Sequence, residues 1–192
     1  LPGDSGDYHV LTESARLAPG GLICEIGCRL GGGVSAICAG LQPGRIFVSL
    51  DPYGNIPYWM DDKSPVYHDY DNELLAEAMC TIPAYCRSKG IRWLPFIMED
   101  TEFFHRFADG VPIYQAGYKR IWNEYGLVHV DGQHCTPAVF VAIEFFAPRI
   151  PAGGIMVFDD YQNYVHQEDH LSNLGFNAII RTTQKVAYQR IT

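Results

Sequence analysis

Short apolar runs alternate with stretches of helical spacing along most of this chain, and that alternation limits the fold more than any other feature. Gly21 to Ile26, Arg45 to Leu50, Ile91 to Met98, Leu127 to Val130 and Gly154 to Phe158 read as strands of a parallel sheet. Val34, Ile37, Cys38 and Leu41 share one helix face, and Pro43-Gly44 ends that helix. A second helix begins near Asp71 and aligns Leu74, Leu75, Ala78, Met79 and Ile82; Pro83 is expected to end or kink it. Thr101 to Phe107 reads as a short helix. Thr136 as N-cap, with Pro137 at the first helical position, opens another. Phe176 to Thr182 and Val186 to Ile191 read as a closing antiparallel pair.

A length of 192 residues suits one domain, and a hydrophobic share of 47% can fill one core, so the expectation is a single α/β domain over 1–192. Mean hydropathy is -0.06 and no long uncharged apolar run is present, which argues against a membrane span. The 14 Lys and Arg stand against 22 Asp and Glu, a net charge of -8 with no basic cluster. That balance argues against nucleic acid and membrane surfaces and for a small-molecule partner. The six cysteines form no C-x-x-C pair, so reduced thiols and a cytoplasmic location are expected. The opening Leu1-Pro2-Gly3 shows neither an initiator Met nor a signal-peptide pattern, and reads as a processed or trimmed start.

Ligands of parallel α/β sheets bind beyond the carboxyl ends of the strands, so the residues at those ends are the functional reading. The first run ends in Glu25-Ile26-Gly27-Cys28-Arg29-Leu30-Gly31-Gly32-Gly33. Glycines there admit a ligand to the backbone, and the helix beyond offers unpaired N–H groups. Arg29 fills the second glycine place of G-x-G-x-x-G, so a dinucleotide fingerprint is missing and an NAD-dependent oxidoreductase ranks last. The second run ends in Asp51, placed to accept hydrogen bonds from a ribose diol. The third ends in Glu99-Asp100-Thr101, the fourth in Asp131-Gly132-Gln133-His134 and the fifth in Asp159-Asp160. Taken singly, each has an ordinary explanation. Asp51 before Pro52 can cap a turn, Asp131-Gly132 is a common turn pair, and Asp160 can cap a helix starting near Gln162. His134 alone reads as a satisfied polar residue, and His129 as core. His166 and His170 share a helix face without completing a metal motif. Acidic residues at all five strand ends are harder to assign to turns alone.

Two stretches exceed what α/β connections need. Pro52 to Asn72 carries Tyr53, Tyr58, Trp59, Tyr67, His68 and Tyr70, and reads either as an aromatic lid (52–72) over a flat or sugar-like ligand or as a loop packed on the domain. Packing on a partner subunit, in a homodimer, is the third option. Gly110 to Tyr125 reads as an amphipathic segment flanking the same pocket.

The order Glu25-x-Gly27, Gly31-Gly32, Asp51, Asp100, Asp131-Gly-Gln-His134 and Gly153-Gly154-Ile-Met-Val-Phe-Asp159-Asp160-Tyr161 is similar to that of class I S-adenosylmethionine-dependent methyltransferases. More narrowly, it resembles the small metal-dependent O-methyltransferases of the catechol type and of the macrocin or mycinamicin sugar type. The resemblance runs from about Gly20 to the end of the chain. It implies a Rossmann-like fold with a mostly parallel seven-stranded sheet, helices on both faces and a reversed C-terminal strand. It also implies that Glu25 and Gly27, with the turn through Gly31 to Gly32, pack against the methionine part of the cofactor. Asp51 would hold the ribose hydroxyls, and Asp100-Thr101 would lie beside the adenine. Asp131, Asp159 and Asp160 match the family's metal carboxylates. His134 stands where the catechol type has a catalytic lysine and the mycinamicin type a histidine.

The chemistry expected from these residues is methylation of a hydroxyl on a sugar, polyketide or phenolic molecule. Oxygen-only ligation favours Mg²⁺, or another divalent cation, at the three carboxylates. His134 would remove the hydroxyl proton. A metal-dependent hydrolase would use the same rim but leave the glycine turn idle. A non-catalytic cofactor-binding module would use the turn and the aromatic stretch.

Overall fold

The computed structural model describes residue 1 and residues 6–191; Pro2 and Gly3 of the opening tripeptide lie outside the described residues. In chain order, α1 (Tyr8–Leu17) leads into β1 (Leu22–Ile26), α2 (Gly32–Gly40) and β2 (Ile46–Leu50). A small hairpin, β3 (Tyr58–Trp59) and β4 (Pro65–Val66), precedes α3 (Asn72–Ser88), β5 (Arg92–Phe96) and α4 (Asp100–Arg106). A second hairpin, β6 (Val111–Gln115) and β7 (Tyr118–Trp122), is followed by β8 (Tyr125–Val130), α5 (Thr136–Phe146) and β9 (Ile155–Phe158). The chain ends with α6 (Glu168–Asn173), β10 (Phe176–Arg181) and β11 (Val186–Arg190).

Seven strands form the main sheet in the order β10-β11-β9-β8-β1-β2-β5. The strands run parallel from β9 to β5, and β11 is antiparallel to both β9 and β10. The Rossmann-like arrangement with a reversed C-terminal strand is therefore what the structure has, and the reversed strand lies one place inside the edge. From β1 the chain moves outward to β2 and β5, then returns to place β8 on the other side of β1. The switch in direction thus falls between the carboxyl ends of β1 and β8, next to the glycine turn.

Alternation along the strands sends side chains to two cores. Leu22, Cys24, Ile26, Val128 and Val130 join α4, α5 and α6 on one face, whereas Ile23, Leu127, Ile155 and Val157 meet α1, α2 and α3 on the other. All five β1 residues are buried, as expected of a strand covered on both faces.

Three expectations need correction. Pro83 neither ends nor breaks α3, which runs on to Ser88. Ala78, Ile82 and Cys86 are buried on both sides of the proline, and their packing outweighs its intrinsic cost of about 3 kcal/mol. Thr136 is not the cap of α5 but its first residue; Cys135 takes the cap position without a side-chain bond. The Asp61 carboxylate, from the β3–β4 hairpin, instead accepts the Thr136 N–H at 2.6 Å and the Thr136 hydroxyl. The stretch from Gly110 to Tyr125 is the β6–β7 hairpin. It lines neither cavity at the strand ends, and Arg92, at the amino end of β5, donates to the Tyr114 carbonyl.

Gly27 is the position most constrained by this topology. Its φ is 83°, and a Cβ would lie 1.8 Å from the Asp131 carbonyl oxygen. Gly153, with φ 81°, has nothing within 4 Å of the same point. Urea unfolding should therefore show Gly27→Ala losing on the order of 3 kcal/mol or more, and Gly153→Ala only roughly 1–2 kcal/mol, the cost of a left-handed backbone. Equal losses would show that the Gly27–Asp131 approach is not tight.

Candidate functional site

The glycine turn is held from below by Asp51. One carboxylate oxygen accepts the N–H groups of Cys28 at 2.9 Å and Arg29 at 2.8 Å, and the other accepts that of Tyr53 at 3.0 Å. Asp51 is 2% exposed; burial pushes its carboxyl above the ordinary range, against the three N–H donors. It stands at the end of β2 as expected, and both its oxygens accept N–H groups of the turn. Gly31, with φ 82°, precedes α2 and packs on Ile82. Gly32 and Gly33 then present the start of α2 to a cavity.

Glu25 lies under this turn. It is 1% exposed, and its Oε1 is 2.9 Å from Nδ1 of His129 on the neighbouring strand. Burial drives the Glu25 carboxyl well above its usual range and lowers the His129 imidazole to about 3, so both favour their neutral forms. A Cβ on Gly33 would lie 1.9 Å from Glu25 Oε1, which ties the missing side chain of α2 to the carboxyl beneath it.

The acidic rim gathers around His134. Its Nε2 is 3.4 Å from Asp131 Oδ1 and its Nδ1 is 3.5 Å from Asp160 Oδ2, so the imidazole bridges the ends of β8 and β9. Burial pulls His134 down, but the Asp131 and Asp160 carboxylates outweigh it and raise its pKa. Burial, together with the Asp159 charge, pushes Asp131 up to about 7, although His134 opposes the shift. Asp159 behaves in the opposite way. Burial would raise it, but His129 and the Lys185 ammonium hold it below the usual carboxylate range.

Sequence reasoning missed Lys185. It is 0% exposed, and its Nζ is 2.6 Å from Asp159 Oδ1, an oxygen that also accepts the Asp160 N–H at 2.9 Å. The Asp160 carboxylate turns to His134. Among the described residues, the possible ligand atoms that come within 4.8 Å of one another belong to His129, Asp131 and Asp159, not to the expected Asp131, Asp159 and Asp160. One of these carboxylates is already paired with an ammonium. A divalent ion held by these three residues would compete with Lys185 for Asp159.

Two cavities open beside the rim, of about 340 and 200 Å³, and both touch Gly27, Tyr58 and Gly132. The larger brings together Gly27, Gly32, Asp131, His134, Asp159 and Asp160. The smaller lies beyond β2 and takes in Asp100, Glu99, Leu50 and Trp59. Glu25, Gly31, Asp51 and Thr101 line neither; the first three support the walls from behind. The lid expectation falls on the β3–β4 hairpin and its flanks. Tyr58, His68 and Tyr70 pack as tilted rings, with centroids 5.3 and 5.2 Å apart, and form an aromatic wall of the larger cavity that the carboxylates also line. Arg29 joins that wall, 5.8 Å from the Tyr70 ring. Gln133 donates to the Trp59 carbonyl at 2.8 Å and, with Asp61 on Thr136, holds the hairpin over the rim.

Known structures share this architecture. CalS11, a calicheamicin methyltransferase, superposes with a TM-score of 0.62 at 15% identity, over 95% of this chain and 76% of that one. An O-methyltransferase from Bacillus cereus, solved with SAH, gives 0.60 at 11% identity over 98% and 84%. The O-methyltransferase TomG from Streptomyces achromogenes, involved in tomaymycin synthesis and solved with SAM, gives 0.57 at 13% over 96% and 79%. At such identities the likeness is one of fold. No curated protein shows significant sequence similarity to the chain. A family model described as a methyltransferase domain, however, matches residues 24–161, from within β1 past the Asp159-Asp160 pair, and the chain accordingly belongs to the methyltransferase family.

Proposed function

We propose that the protein transfers the methyl group of S-adenosylmethionine to a hydroxyl of a small molecule such as a sugar, polyketide or phenol. The observation that carries this reading is the position of His134, which faces the same cavity as the glycine turn and is bracketed by two carboxylates. The bound cofactor supplies an electrophilic sulfonium methyl.

The chain's own residues do the rest. The start of α2, bare of side chains at Gly32 and Gly33, offers backbone N–H groups suited to the cofactor's carboxylate. Ile26, Leu50 and Trp59 give the smaller cavity apolar walls for a base, and Glu99 and Asp100 give it acceptors for polar edges. The Tyr58, His68 and Tyr70 wall confines the acceptor against His134. His134 takes the hydroxyl proton on a ring nitrogen, and Asp131 and Asp160 stabilise the imidazolium that results. Holding oxygen and methyl in line is then the main catalytic task. The fold shared with calicheamicin and tomaymycin enzymes supports a small-molecule acceptor, as does the net charge of -8.

Calorimetric titration of S-adenosylmethionine should give saturable binding that Asp100→Ala weakens and His134→Ala leaves unchanged. With an acceptor in hand, His134→Ala should lower kcat by about 10²–10⁴. Folded protein that fails to bind the cofactor would remove the reading, and turnover of phosphate esters would replace it with a hydrolase.

The raised pKa of His134 sets a second expectation. Its charged form is favoured by folding, so the stability it adds is complete below the unfolded value near 6.5 and is lost as pH rises through the folded pKa. Activity rises over the same interval as the base becomes neutral. Asp160→Asn should shift both the imidazole titration, followed by NMR, and the acid limb of the activity profile to lower pH. An unchanged titration would mean that Asp160 does not act on His134.

A further inference from the structure

Lys185 stands immediately before β11 and has the same strand parity as Ala187, which points it beneath α1 and α2. There it completes a polar row across four adjacent strands. Ala187 pairs with Val157, Val157 with His129 and His129 with Glu25, so Lys185, Asp159, His129 and Glu25 lie on one face of the sheet. Tyr8, which lines the larger cavity, lays its ring 5.4 Å from the Lys185 ammonium. An ammonium taken out of water costs several kcal/mol unless a partner compensates it. Here one partner is a carboxylate that a rim metal would use, Asp159, at 2.6 Å.

We propose that Lys185 is the resident cation of the acidic rim. Its ammonium supplies the positive charge that holds Asp159 ionised beside Asp131, and with the Asp160 N–H it occupies Asp159 Oδ1. A divalent ion at the rim is repelled by that ammonium and gains Asp159 fully only by displacing it. The rim is thus built to work with an internal cation, and divalent ions bind weakly and are not required. This inference rests on the proposed methyl-transfer site only for its catalytic meaning; the electrostatics hold whatever the reaction.

The test is Mn²⁺ titration, following free Mn²⁺ by electron paramagnetic resonance. Lys185→Met should bind Mn²⁺ about tenfold or more tightly than the parent, because the competing like charge is gone. Adding Asp131→Asn to that variant should abolish the gain, which locates the ion at the rim. Unchanged or weaker binding by folded Lys185→Met overturns the proposal. Because Met leaves Asp159 uncompensated and the variant is destabilised, the parent protein is also observed directly, by ¹⁵N resonances of lysine Nζ. An exchange-protected Nζ signal, assigned to Lys185 by its loss in Lys185→Arg, should be present without metal and should move only at millimolar Mg²⁺. Absence of that signal, or its saturation at micromolar Mg²⁺, overturns the proposal. Cofactor titration is read separately: loss of cofactor binding with the Mn²⁺ result intact removes methyl transfer and leaves the role of Lys185 standing.

Discussion

At the centre of the sheet, β1 and β8 run side by side, and their carboxyl ends approach until Gly27 and the Asp131 carbonyl leave no room for a side chain. This contact is what joins the two halves of the site. On one side of it the chain enters the turn that Asp51 pins and that opens α2. On the other it enters the turn that carries Asp131 and His134. Because the strand order reverses between these strands, no helix crosses the gap above them, and the cavities form there. Any residue but glycine at position 27 would push the glycine turn away from the turn that carries His134. In the proposed reaction, the distance between cofactor and acceptor is set by this backbone packing as well as by the side chains that would touch them.

Beneath that junction the polar row imposes a second constraint. Strand interiors covered on both faces normally carry apolar residues only. Here Glu25, His129, Asp159 and Lys185 occupy four neighbouring strands on one face, and each is at most 1% exposed. The row is tolerable because its members compensate one another: Glu25 with His129 as a neutral pair, Asp159 with Lys185 as an ion pair. Gly33 leaves the space above Glu25 that lets α2 settle onto the row. The row also explains why neighbouring acids behave differently. Asp159 is paired directly with Lys185 and held ionised, whereas burial and the Asp159 charge drive Asp131 up to about 7.

The strands and the acids at their ends were legible because each is a local pattern: apolar runs such as Leu127 to Val130 are short, and each stops at a polar residue. The features that were not legible depend on partners far away in the chain. Lys185, just ahead of the last strand, was given no role, since nothing local says that Asp159 will meet it. Thr136 followed by Pro137 imitates a cap so well that the true acceptor, Asp61 on another element, leaves no trace near α5. Asp51 was legible as an acid at a strand end, but its bonds to Cys28, Arg29 and Tyr53 were not, because they form only once the turn folds over it. His129 was read as core, which its burial supports; its bond to Glu25 lies across a strand boundary that the sequence does not mark.

The β3–β4 hairpin sits at the opposite extreme of stability. Its strands are two residues each, Trp59 is 50% exposed, and it is held to the rim through Asp61 on Thr136 and Gln133 on the Trp59 carbonyl, both at the surface. Exposed hydrogen bonds of this kind add little net stability, because water competes for their groups. The hairpin is therefore the part of the site that moves at least cost, whereas the row beneath α2 cannot move without exposing paired charges. The contacts that anchor the hairpin end on the turn of Asp131 and on the first residue of α5, so the aromatic wall and His134 are tied to one stretch of backbone. In the proposed reaction, an acceptor filling this cavity excludes water from the imidazole and its two carboxylates, and their mutual attraction strengthens as the local dielectric falls.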